Sequence, residues 1–63
     1  MNKQEMIDQL KARIAYNEEQ RAYYEKLRDE NPDEHSIWSE MVDWFKGKIV
    51  AFNIAIEMAE ELS

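Results

Sequence analysis

The sequence predicts an all-α fold: an antiparallel hairpin of two helices, about 2–30 and 33–62, joined by a short turn. Three observations predict it. Glycine and proline each occur once in 63 residues, a composition that belongs to helices. Apolar residues recur at helical spacing in both halves. The chain's punctuation gathers in one place, "RDENPDEHS" at 28–36. At this length there is room for one domain, 1–63, close to the lower limit at which a single core holds a chain folded.

The first helix has a clear stripe in Met6, Ile7, Leu10 and Ile14. Tyr24 and Leu27 continue it, with Tyr16 and Tyr23 alongside, after a drift that fits left-handed coiling. Between the halves the same strip holds Arg13, Asn17 and Gln20. A polar group in mid-seam fixes register or oligomer state at some cost in stability, and Asn17 is the candidate for that role.

Pro32 disfavours helical geometry at Asn31, so the first helix should end by about Glu30. The second can open there: Asn31 suits an N-cap, Pro32 the first helical position, and Asp33 and Glu34 the positive end of the dipole. Ser36 is the rival cap. Two long helices and a short turn make a hairpin. That arrangement sets Glu57, Glu60 and Glu61, at the unfavourable negative end of the second helix, beside Lys3, Lys11 and the terminal amine. Pairing there is expected to offset the conflict.

The second helix is apolar over an unusually wide arc. Trp38, Phe45, Phe52 and Ala59 form one row seven residues apart, and Val42, Ile49 and Ile56 its neighbour. On the other side lie Met41, Lys48, Ala55 and Leu62, then Ile37, Trp44, Ala51 and Met58. Together these rows span roughly 200°. One antiparallel partner covers about two rows. Self-association into a four-helix bundle is therefore expected, through Trp38, Met41, Val42, Trp44, Phe45, Ile49, Phe52 and Ile56. A hairpin that holds this face for a different protein is the alternative. Gly47, Val50 and Ile54 form a smaller patch on the far edge, and with Tyr16, Tyr23 and Tyr24 they are the candidate surface for another protein. Gly47 also permits close approach of a second backbone.

Composition excludes more than it selects. There are no cysteines, so disulfides and thiolate zinc sites are out and a reducing, cytoplasmic setting is expected. Lys3, Glu5 and Asp8 interrupt the start of the chain, which argues against a secretory signal. The longest apolar stretch, 49–56, is broken by Asn53 and too short for a membrane span. The net charge is −6. Residues 1–31 hold 6 bases and 7 acids and residues 32–63 hold 2 and 7, so the second half is the acidic one. Direct nucleic-acid binding is disfavoured, as is a membrane surface.

Reactive groups are sparse. His35, the single histidine, falls in the turn beside Asp33 and Glu34 and reads as solvated. Glu57, Glu60 and Glu61 cluster without a nitrogen ligand. No Glu-x-x-His pair, glycine-rich phosphate loop or nucleophile–base spacing is present in the sequence. "KGK" at 46–48 reads as packing: Lys46 outward, Lys48 with its stem on the apolar rows. The expectation is a non-enzymatic interaction protein without cofactor or metal. An acidic mimic of DNA phosphates, inhibiting a nucleic-acid-binding protein, is the alternative. Arg21, Lys26 and Arg28, interleaved with acids on the first helix, weigh against a continuous negative track.

The Lys/Glu/Gln-rich opening "MNKQEMIDQLKARIAYNEEQ", the brief turn and the aromatic "IWSEMVDWFKGKIVAFNIAIEMAEEL" resemble the short acidic helical proteins encoded by phages and mobile elements of low-GC Gram-positive bacteria. The resemblance spans the whole chain. It implies a modulator or inhibitor of a host or defence protein, and it transfers no site residues.

Overall fold

The structure, a computed structural model, describes residues 2–62. Helix α1 runs Lys3–Glu30, a single 3-10 turn covers Pro32–Glu34, and helix α2 runs His35–Glu61. The two helices lie antiparallel as the expected hairpin. The Cα radius of gyration is 14.6 Å and the extents are 50 × 14 × 12 Å, against about 11 Å for the radius of a compact chain of this length. The molecule is a rod two helices thick, so every side chain that points away from the seam faces solvent.

Local chemistry sets the ends of α1. Asn2 is extended, its Oδ1 accepts from the Glu5 N–H at 2.8 Å, and its Nδ2 donates to Glu5 Oε1 at 3.0 Å. This is a variant of the capping box, with residues three apart closing on each other. At the far end Asn31, restricted by Pro32, leaves helical geometry with φ −127° and ψ 72°. Its side chain does not cap α2 as expected. Nδ2 instead donates backward to the Leu27 carbonyl at 2.7 Å, satisfying one of the acceptors orphaned where α1 ends. Ser36 does not cap either, because the 3-10 turn runs directly into α2 and places Ser36 inside the helix. Glu34 precedes α2 and its carboxylate accepts from Trp38 Nε1 at 3.2 Å.

The seam has two different halves. At the open end Ile7, Ile56 and Ala59 are buried together, with Met6, Leu10 and Ile14 packed against them. At the turn end Tyr24 stacks between two rings of α2, 5.8 Å from Trp38 and 5.5 Å from Phe45 by centroid. Val42, 1% exposed, is the most enclosed side chain. Stacked aromatic pairs contribute about 0.5–1.5 kcal/mol each beyond their area, so the ring stack holds the turn end much as aliphatic packing holds the other.

The charge conflict at the open end is resolved differently from expectation. Lys3 Nζ donates to the main-chain carbonyls of Glu60, at 3.1 Å, and Leu62, at 2.8 Å. It thereby meets the negative end of α2 at its source, the unpaired carbonyls, rather than through the glutamates. Among the described residues neither Lys3 nor Lys11 forms an ion pair with Glu57, Glu60 or Glu61. The terminal amine of Met1 lies outside the described residues.

Candidate functional site: the uncovered face of α2

Helix α1 encloses most of the two rows of α2 nearest to it and half-covers a third, that of Met41, Lys48 and Ala55. Val42, Phe45, Ile49, Ile56 and Ala59 are buried, and Trp38, Met41 and Phe52 are half-buried. This corrects the residue set expected to join two chains. Of those eight, Val42, Phe45, Ile49 and Ile56 are enclosed by their own hairpin, and Trp44 alone stays exposed, at 56%. The uncovered apolar surface lies farther round the helix. Ile37, Trp44, Ala51 and Met58 form its central row, with Leu62 beyond and Val50 and Ile54 at its edge, all exposed. At ~100° per residue the arc from Ile37 to Val50 spans about 140°.

Trp44 is the best-supported side chain on this face. Its ring meets Phe45 edge-on at 5.1 Å, and Lys48 Nζ sits 4.2 Å from its centroid. Such a cation–π contact is worth about 0.5–1 kcal/mol at an exposed site. It also explains how Lys48 is tolerated in an apolar row: the stem packs while the ammonium lies on the indole. The rings run on from there. Phe45 stacks on Tyr24, and Tyr24 meets Tyr23 edge-on at 5.2 Å. An aromatic belt thus passes from the outer side of α2, through the seam, to the outer side of α1.

Gly47 sits at the middle of the uncovered arc. It is exposed, its φ is not positive, and a Cβ built there would meet nothing within 4 Å. Glycine inside a helix costs about 1 kcal/mol relative to alanine. The hairpin itself makes no use of the missing side chain.

The other expected surface residues divide. Tyr16 and Tyr23 are exposed on α1, at 59% and 56%. Tyr24 is half-buried, its ring stacked on Trp38 and Phe45. A shallow groove beside Tyr16, lined by Gln9, Ala12, Arg13 and Tyr16, comes from one helix alone. His35 is exposed in the turn with Nδ1 3.3 Å from Ser39 Oγ. Among the described residues no three His, Asp or Glu side chains are grouped to hold a metal ion, and no helix is long and apolar enough to cross a membrane.

The polar waist of the seam is present but differently composed. Asn17 is 4% exposed, its Nδ2 donates to the Arg13 carbonyl at 2.6 Å, and its Oδ1 has no partner. Arg13 itself is exposed and Gln20 half-buried. The side chain that shares the seam with Asn17 is Arg21, one turn on, whose Nε is also enclosed without an aligned acceptor. Glu25 Oε1 lies 3.2 Å from that Nε, close enough for attraction between charges without a directed hydrogen bond. The i, i+4 spacing of Asn17 and Arg21 was the signal available for this pair. Across the seam Lys3 faces Leu62, Ile7 faces Ile56 and Tyr24 faces Phe45, a register that puts Asn17 level with residues 45–52.

No protein family, curated protein or solved structure matches the chain.

Proposed function

We propose that this chain is a non-catalytic protein-interaction module that works as a homodimer, in the manner of a small modulator of another protein. The observation that supports this reading is the uncovered face of α2. Five large apolar side chains of α2, Ile37, Trp44, Val50, Ile54 and Met58, and Leu62 just past its end are each more than half exposed on a two-helix rod. Exposed apolar surface of this extent, although Glu40 and Asp43 share its arc, belongs to interaction sites, and Trp44 with its lysine cover has the character of an interface anchor. The resemblance to phage-encoded modulators points to a protein partner, with Tyr16 and Tyr23 on the outer side of α1 as the surface left for it. The phosphate-mimic alternative has less support. Glu25, Glu30 and Asp29 of α1 lie 3.2, 3.9 and 3.2 Å from Arg21, Lys26 and Arg28, which breaks any negative track on that helix.

Sedimentation equilibrium over a wide concentration range tests the reading. Mass should rise toward twice the chain mass, and Trp44→Glu should hold it at one chain while leaving the helical circular dichroism intact. A native chain of single mass at every concentration would sink the proposal.

A further inference from the structure

We infer that the second copy docks antiparallel on the first, α2 against α2, with the two-fold axis passing beside Gly47. The inference rests on the homodimer reading above and specifies its geometry. Three features converge on that residue. It lies one position from the midpoint of α2, which runs His35–Glu61. It lies at the centre of the exposed arc, with Trp44, Ala51 and Met58 on one side, Ile54 and Val50 on the other, and the carboxylates of Glu40 and Asp43 within the same arc, where the dimer must leave them a path to solvent. And its missing Cβ serves nothing in its own chain, since only open space surrounds the position.

A two-fold interface brings one patch against itself. When the axis crosses the helix at its midpoint, the antiparallel pair overlaps along the whole of α2, and the helix dipoles oppose one another. The central row then complements itself: Trp44 comes level with the partner's Ala51, and Ile37 with the partner's Met58. Large side chains meet small ones at the layers beside the axis, as close packing requires. At the axis a side chain would hold the helices apart, and glycine lets the backbones approach.

The area is sufficient. Five aliphatic side chains more than half exposed offer roughly 50 Å² each, taking about 60–120 Å² for a whole side chain. Trp44 adds about 110 Å². With apolar atoms forming about 60% of an interface, the patch supplies roughly 600 Å² per chain. The total of about 1,200 Å² is at the lower edge of stable, specific interfaces.

The chain has no cysteine, so single-cysteine variants in a glutathione redox buffer report the arrangement. Gly47→Cys should cross-link to itself, because residues at the axis bring their Cα atoms within the ~7 Å that a disulfide spans. Met58→Cys alone should not, whereas Ile37→Cys mixed with Met58→Cys should give the mixed dimer. Gly47→Ala should leave the thermal midpoint of the monomer unchanged or raised, yet weaken the dimer about tenfold by overpacking the axis. Self-linking of Met58→Cys as fast as Gly47→Cys, or a Gly47→Ala dimer as tight as the native one, overturns the arrangement while leaving the homodimer standing. A native chain that never exceeds one chain mass removes both.

Discussion

Replacing Asn17 with leucine should make the hairpin more stable and less specific. The side chain is 4% exposed and its Oδ1 has no partner. A buried, unpaired acceptor costs about 1–3 kcal/mol, and that cost disappears with the amide. Leucine at a seam position brings about 1.5–3 kcal/mol of apolar burial and is the better helix former by a few tenths. Against this stands the Nδ2 bond to the Arg13 carbonyl at 2.6 Å, worth about 0.5–1.5 kcal/mol. That carbonyl keeps its helical N–H, so it is not orphaned by the change. Arg21, now facing leucine, takes back part of the gain because its Nε is also enclosed. The balance is about 2 kcal/mol in favour of Asn17→Leu. For a domain this small, 1 kcal/mol moves the thermal midpoint by about 4–8 °C, so a rise of about 10 °C is expected. Circular dichroism melts at several fixed concentrations read it, since association shifts the midpoint by mass action. Sedimentation velocity should at the same time show more than one species, because the polar marker of register is gone. A midpoint at or below the native value with a single species refutes the reasoning.

Other substitutions probe the rest of the frame. Lys3→Glu removes two hydrogen bonds to the Glu60 and Leu62 carbonyls and puts a negative charge at the negative end of α2. Amide exchange over 57–62 should accelerate several-fold, in line with about 0.3–1 kcal/mol, and unchanged exchange would show that the lysine does not hold the end. Tyr24→Ala should cost about 2–3 kcal/mol in urea unfolding, less than a fully buried ring because Tyr24 is only half-buried. Tyr24→Phe, which keeps both stacks, should be near neutral. Equal losses for the two would mean that the hydroxyl matters and the stacking does not.

The hairpin was legible in the sequence because its determinants are local. Pro32 acts on Asn31 through the backbone of one neighbour, and the residue spacing of each helix sets which side chains share a face. The allocation of those faces was not legible. A continuous apolar arc of about 200° contains no mark dividing the rows that α1 takes from the rows left over, so spacing alone puts Val42, Phe45, Ile49 and Ile56 in one set with Trp44. The division depends on the rotation of each helix about its own axis, which is decided by packing. Tyr24 shows the same limit: its spacing puts it on the stripe of α1 and its type among the surface tyrosines, and only the positions of Trp38 and Phe45 decide that its ring packs in the seam. Lys3 shows another. Charges can be counted from a sequence, but the orphaned carbonyls at the end of α2 carry no letter.

The two unusual positions of the chain lie at one height on the rod. Asn17 interrupts the seam level with residues 45–52, and Gly47 sits at that level on the opposite side of α2. The seam therefore binds least where the outer face is flattest. In a lone hairpin the two features compound each other, since neither a polar waist nor a helical glycine helps the helices hold together. With a second copy against Gly47 they become complementary. The waist then lies at the level where the dimer contact closes most tightly, and α2 gains from its outer side the support that α1 withholds at mid-length. An amphipathic hairpin built only to stand alone would place leucine at 17 and alanine at 47, and each substitution would make the single hairpin more stable. Both departures fall at the middle of the rod, where a two-fold partner can compensate for them together.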